Sequence, residues 1–151
     1  MTKRLHTEIT IAATVAQVWQ VLTDFDAYPA WNPFITSAQG RAAAGERLTL
    51  RMQPEVGRAM TFQPIVRECV PGRRLRWLGR WVLPGLLDGE HTFTIEPRAD
   101  AVHLTQEEDF RGLLTPLLAR QLDRGTRPAF EHMNQALKQR AEHLSRATLR
   151  A

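Results

Sequence analysis

His91, Gln106 and Glu108 are the residues whose types and spacing point to chemistry. Each interrupts an otherwise apolar strand face. Between Gly89 and Glu96, His91 alternates onto one side with Phe93 and Ile95. Between Ala101 and Phe110, Gln106 and Glu108 share a side with Val102, Leu104 and Phe110. A polar group on a buried face is costly unless it is hydrogen-bonded. These three therefore pair with one another or meet a polar group on a ligand. A histidine beside a carboxylate supplies the base and orienter of a proton transfer; the plainer alternative is a satisfied polar cluster at the open end of a sheet. With a hairpin tip at Arg98 to Asp100, a register that sets Phe93 against Leu104 puts His91 against Gln106.

Other residues are candidates for contact with a ligand. Trp77 and Trp81 fall on one strand face with Leu75 and Gly79. Rings there line a pocket for an apolar or aromatic molecule, or simply fill a core. Phe93 belongs with them through its neighbour His91. Leu83, Leu86 and Leu87 lie in a Pro- and Gly-containing loop of the kind that gates a cavity mouth. Leu117, Gln121, Leu122 and Met133, along the last helix, offer an opposite wall. Metal and cofactor chemistry has no support: the five histidines are isolated, and there is no HExxH, GxGxxG, GxxxxGK or nucleophile elbow. The single cysteine, Cys69, excludes an intrachain disulfide and reads as a structural thiol in a reducing compartment.

The elements that position these residues follow from periodicity. His6–Ile11 alternates as a first strand. Thr14 and Gln17 have capping-box spacing, and Val15, Val18, Trp19 and Leu22 recur at helical spacing behind them. Asp24 opens a second short helix over Phe25–Ala30, in which Pro29 sits poorly. Strands are expected near Ile35–Ala38, over Leu48–Met52, over Ala59–Cys69 with an edge or bulge at Pro64, and over Arg74–Val82. Arg74, Arg76 and Arg80 mark the wet face of that last strand. Beyond Gly112 a long helical stripe begins, with Pro116 in its first turn, a bend at Gly125 and Pro128, and a tail that frays from about Ser145.

Consecutive strands with short turns make an antiparallel meander whose apolar face must be covered. The last helix is the only element long enough to cover it. The expectation is a single α+β domain over residues 1–151: a curved antiparallel sheet wrapped around a long C-terminal helix, with two short helices after the first strand.

The length of 151 residues suits one domain. A net charge of +4 is mild, and its arginines are mixed with acids along the chain. That dispersion speaks against a nucleic-acid partner. No run of 18 apolar residues exists to span a membrane, and the N-terminus lacks a signal-peptide core, so a soluble cytoplasmic protein is expected.

The segment Val18-Trp-Gln-Val-Leu-Thr-Asp-Phe-Asp-Ala-Tyr-Pro-Ala-Trp-Asn-Pro-Phe34 resembles the opening of START-like (SRPBCC superfamily) proteins of the polyketide cyclase/dehydrase and lipid-transport group. Phe130-Glu-His-Met-Asn-Gln-Ala-Leu-Lys138 resembles their C-terminal helix. The resemblance implies a helix-grip fold with a cavity between sheet and helix. It implies a lipid, sterol or polyketide-like ligand, with aromatases, cyclases, co-chaperone activators and coenzyme-Q-binding proteins as cousins. It also implies that Trp31, Asn32 and Pro33 fix a turn. Three functions follow: a carrier or sensor of a small hydrophobic molecule, a cyclase-like enzyme using His91 and Glu108, or a module with a filled cavity that meets a protein partner. A continuous pocket of ~300 Å³ or more favours the first.

Overall fold

Period-two alternation decides which side chains the sheet turns inward, and β7 (Leu87–Pro97) and β8 (Val102–Arg111) keep it without a break. The computed structural model describes residues 2–81 and 83–151. It is the α+β helix-grip architecture. β1 (Thr2–Ile11) leads into α1 (Val15–Thr23), a single tight turn (Phe25–Ala27) and α2 (Tyr28–Trp31). Then come β2 (Ile35–Gln39), β3 (Thr49–Met52), β4 (Met60–Phe62), β5 (Ile65–Val70), β6 (Arg74–Trp81), β7 and β8. α3 (Thr115–Gln121), a wide π turn (Leu122–Thr126) and α4 (Arg127–Arg150) complete the chain. All pairings are antiparallel, in a five-stranded sheet ordered β1-β8-β7-β6-β5 and a three-stranded sheet ordered β2-β3-β4. Backbone bonds from Leu48 to Pro64 and between Val66 and Glu46 stitch the two together.

Several boundaries differ from the sequence expectation. β1 starts at Thr2, because β8 continues to Arg111 and pairs with it there. The expected strand Ala59–Cys69 is two strands in two sheets: Pro64 has no amide to donate, and the chain changes sheet there. The expected end of a strand at Val82 lies outside the described residues. The second helix divides before Tyr28, which gives Pro29 a place in a first turn where a missing amide costs nothing. α4 continues to Arg150, past the expected fraying point at Ser145.

Local chemistry explains the entry into the fold. Thr14 caps α1 through Gln17 N, and the Gln17 side chain returns to Thr14 N. Asn32 Oδ1 accepts the amides of Phe34 and Ile35 at 3.0 and 2.9 Å, which makes it the turn residue that delivers β2. The Tyr28 hydroxyl donates to Leu22 O at 2.5 Å; burial, and the charge of Asp24 after it, push its phenol far above the usual range.

Inward residues of the larger sheet form rows across the strands. One row is Leu5–Glu108–His91–Trp77–Val66 and the next is Thr7–Gln106–Phe93–Leu75. On the other side lies Phe110–Gly89–Gly79. The outer face is wet and paired: Arg76 meets Glu68 and Glu90, and Arg4 meets Asp109, whose carboxyl that hydrogen bond lowers. α4 crosses the inner face. Phe130, fully buried, sits between the rings of Phe34 and His91, at centroid distances of 5.4 and 4.9 Å. Among the described residues no helix is long and apolar enough to cross a membrane. Truncating Phe130 to Ala is expected to cost about 3–5 kcal/mol, the range for losing a buried aromatic ring. Urea unfolding monitored by tryptophan fluorescence would read that loss, and a cost under about 1 kcal/mol would show that α4 does not depend on this ring.

Candidate functional site

A proton-transfer pair needs two groups in reach of each other, and the register of β7 and β8 supplies them. His91 lies opposite Glu108, not Gln106, because the hairpin turns at Ala99 and Asp100, with Arg98 N bonded to Ala101 O. That moves the expected register by two residues and leaves every inward side chain on its face. His91 Nδ1 is 3.3 Å from Glu108 Oε2, and His91 Nε2 is 3.1 Å from Gln106 Nε2. The Gln106 amide points its NH2 at His91 Nε2 and at Met133 Sδ, 3.6 Å away. The Gln106 NH2 thus faces His91 Nε2 while Glu108 Oε2 faces Nδ1, so the ring is held by a polar partner at each nitrogen. The ring is clamped by Trp77, stacked at 5.1 Å and 17°, and by the edge of Phe130.

The network continues to the C-terminal helix. Thr7 Oγ1 donates to Gln106 O at 3.1 Å, and Asn134 Nδ2 donates to Thr7 Oγ1 at 2.9 Å. Gln106 Oε1 is buried without a partner.

Beside this cluster the interior opens into a cavity of about 90 Å³. Its floor is the row containing Gly79 and Gly89, with Glu108 and Phe110 at its edge and the rings of Trp77 and Trp81 along it. Met52 and Phe62 of the smaller sheet, with Phe34 just before β2, form one wall; Leu118, Leu122 and Gly125 of the helical arm form the other. The facing glycines are what leave the space. A Cβ on Gly89 would come within 2.5 Å of Glu108 Oε1. Glu108 itself is 9% exposed and Oε1 lies against the floor of the cavity.

The mouth is formed where the β3–β4 connection meets the π turn. Arg127 N bonds to Leu122 O, five residues back, and the widened turn lets Gly125 O accept Glu55 N at 3.1 Å. A side chain at 125 would crowd Val56 O, 3.3 Å from the position of a Cβ. His132 and Glu55, 2.5 Å apart, tie the same loop to α4.

Residues 2–142 match the family described as polyketide cyclase / dehydrase and lipid transport. The chain belongs to that family. Among solved structures, a START superfamily protein from Mycobacterium smegmatis matches with a TM-score of 0.71 at 22% identity, over 93% of this chain and 98% of that one. The Zhui aromatase/cyclase from Streptomyces sp. R1128 matches with a TM-score of 0.76 at 20% identity, over 94% of each chain. A norcoclaurine synthase point mutant from Thalictrum flavum, in complex with a transition-state analogue, matches with a TM-score of 0.74 at 14% identity, over 96% of this chain and 98% of that one. At such identities the likeness establishes the fold. No curated protein sequence matches this one.

Within this member of the family, the expected site residues divide into three groups. Trp77, Trp81, Glu108 and Gln121 line the cavity, as do Leu87 and Leu122. His91, Phe93 and Gln106 are fully buried behind it, so Glu108 is the member of the pair that faces the space. Met133 is buried there too, against Gln106. Leu83 and Leu117, at 60% and 79% exposed, point away to solvent. Leu86 is half-buried, and its loop is tied to the start of the helical arm: Leu114 N donates to its carbonyl, and Leu113 N to Gly85 O. Cys69 donates to Ala42 O at 2.9 Å, and burial pushes its thiol up, as befits a structural group. Among the described residues no three His, Cys, Asp or Glu side chains gather as a metal site. The sequence reading missed Gly79, Gly89, Phe62 and the β3–β4 connection. An inward glycine between two inward tryptophans was the available signal.

Gly89→Ala is expected to fold, since the atom it meets is the end of a side chain that can turn, and to displace the Glu108 carboxylate from the floor. Chemical shifts of the His91 ring would report the broken contact; unchanged shifts would show that the carboxylate is not held by this close packing.

Proposed function

We propose that this protein binds and carries a small hydrophobic molecule in the cavity between the sheet and the C-terminal helix. The observation that carries this reading is the apolar space kept open over two paired glycines and walled by aromatic rings. Glycine inside a strand costs about 0.5–1 kcal/mol relative to alanine, so space there comes at the expense of stability. A cavity of about 90 Å³ is smaller than the ~300 Å³ of a pocket for a drug-sized ligand. As it stands it is smaller than the ~150 Å³ hollow that takes benzene, so even a one-ring guest asks the lining to give way. A longer lipid, sterol or polyketide-like molecule requires the mouth to part, and Val56 and Met60, both exposed, flank the place where it would do so.

A second reading is enzymatic, and one observation favours it. Glu108 presents a carboxylate to the cavity while His91 holds its other oxygen. In a cyclase-like reaction Glu108 would accept a proton from the bound molecule, with His91 as the positioning partner. The apolar walls would strengthen that interaction by excluding water.

Gly79→Leu tests the binding reading, because the floor has room for a first carbon: the nearest atoms to a Cβ there are 3.8 Å away. The variant is expected to keep the circular-dichroism spectrum of the parent and to lose binding of a fluorescent apolar probe by about tenfold or more. Binding that survives in a folded Gly79→Leu protein would put the site elsewhere.

A further inference from the structure

We propose that the cavity selects among apolar molecules for those bearing a hydrogen-bond donor, a hydroxyl or an ammonium group, which Glu108 Oε1 receives. This rests on the binding reading above and adds the chemistry of the ligand's buried end. Glu108 is the one charged side chain on the cavity wall among the described residues. Its side chain is 12% exposed. Oε2 is engaged by His91 Nδ1, while the ring's other nitrogen faces Gln106 Nε2. Oε1 has no protein donor among the described residues, and it lies over Gly89, where nothing but a hydrogen atom separates it from the floor. This oxygen is not sealed in the core, so it is open to water or to a donor on a bound molecule.

The sign of the site opposes the sign of the molecule. The chain carries a net charge of +4, which by itself favours anions. None of its arginines or lysines lines the cavity. A carboxylate or phosphate pushed to the floor would meet Glu108 across a short distance in low dielectric, where like charges repel strongly. An amine or a phenol meets a ready acceptor there, and the walls of Trp77, Phe110 and Phe62 receive its ring. Gln121 and Thr126, from the helical arm, are the remaining polar groups on the lining.

The test is an amide-resonance NMR titration with five one-ring probes: toluene, phenol, benzylamine, benzoate and acetophenone. Phenol and benzylamine are expected to bind about tenfold more tightly than toluene, the effect of one hydrogen bond to a charged group. Benzoate and acetophenone are expected to bind no more tightly than toluene. In Glu108→Gln, whose amide still faces His91, benzylamine should fall to within about twofold of toluene while toluene is unchanged. The proposal is overturned if benzoate matches benzylamine, if acetophenone exceeds phenol, or if the benzylamine preference survives Glu108→Gln. Equal binding of all five probes leaves the cavity reading standing and removes donor selection. If no probe shifts the resonances of the lining residues, both readings fall.

Discussion

Removing a carboxylate from water costs several kcal/mol unless hydrogen bonds and a partner compensate, and Glu108 imposes that condition on the centre of this protein. His91 answers it with Nδ1. His91 in turn is fixed by Gln106, and Gln106 by Met133 on the C-terminal helix. Thr7 and Asn134 connect the same strand to the same helix one row further on. The contacts that hold the acid in place are thus the contacts that seat α4 on the sheet. Fold and site share one network: the histidine that meets the cavity's acid is held by the contacts that pack the helix.

The three rows divide the labour within the sheet. Thr7, Gln106, Phe93 and Leu75 belong to the packed core. Phe110, Gly89 and Gly79 belong to the cavity. Leu5, Glu108, His91 and Trp77 form the boundary, with a ring pressed on one side and space on the other. A shift of two residues along the β7–β8 hairpin would place Gln106 at that boundary and remove the acid from contact with its histidine.

Much of this was legible in the sequence. Alternation is a local property, so the inward faces of β6, β7 and β8, and the identities of His91, Gln106 and Glu108, could be read residue by residue. The capping box at Thr14 and Gln17 is local too. The register is not: it depends on which two residues make the turn, and an estimate displaced by two residues set His91 opposite Gln106. Pro64 announced an irregularity without saying that the chain would leave one sheet for another. Leu117 was assigned inward because one helical period was carried through residues 115–144. The π turn at Leu122–Thr126 adds a residue to that period, so the faces of α3 and α4 do not continue one another. The cavity was hardest to see, since it is made of two glycines on different strands whose pairing only the fold defines.

Those two glycines separate the strength of the sheet from the depth of its hollow. They take part in the β6–β7 ladder through their backbones, and strand pairing asks nothing of their missing side chains. The frame of the molecule and the depth of its hollow are therefore encoded by different atoms. Each added carbon at 79 or 89 makes the hollow shallower from below while leaving the strands in register, with Glu108 free to turn aside at position 89. The size of the space is thus set by small steps on the floor, separately from the helix that closes the top.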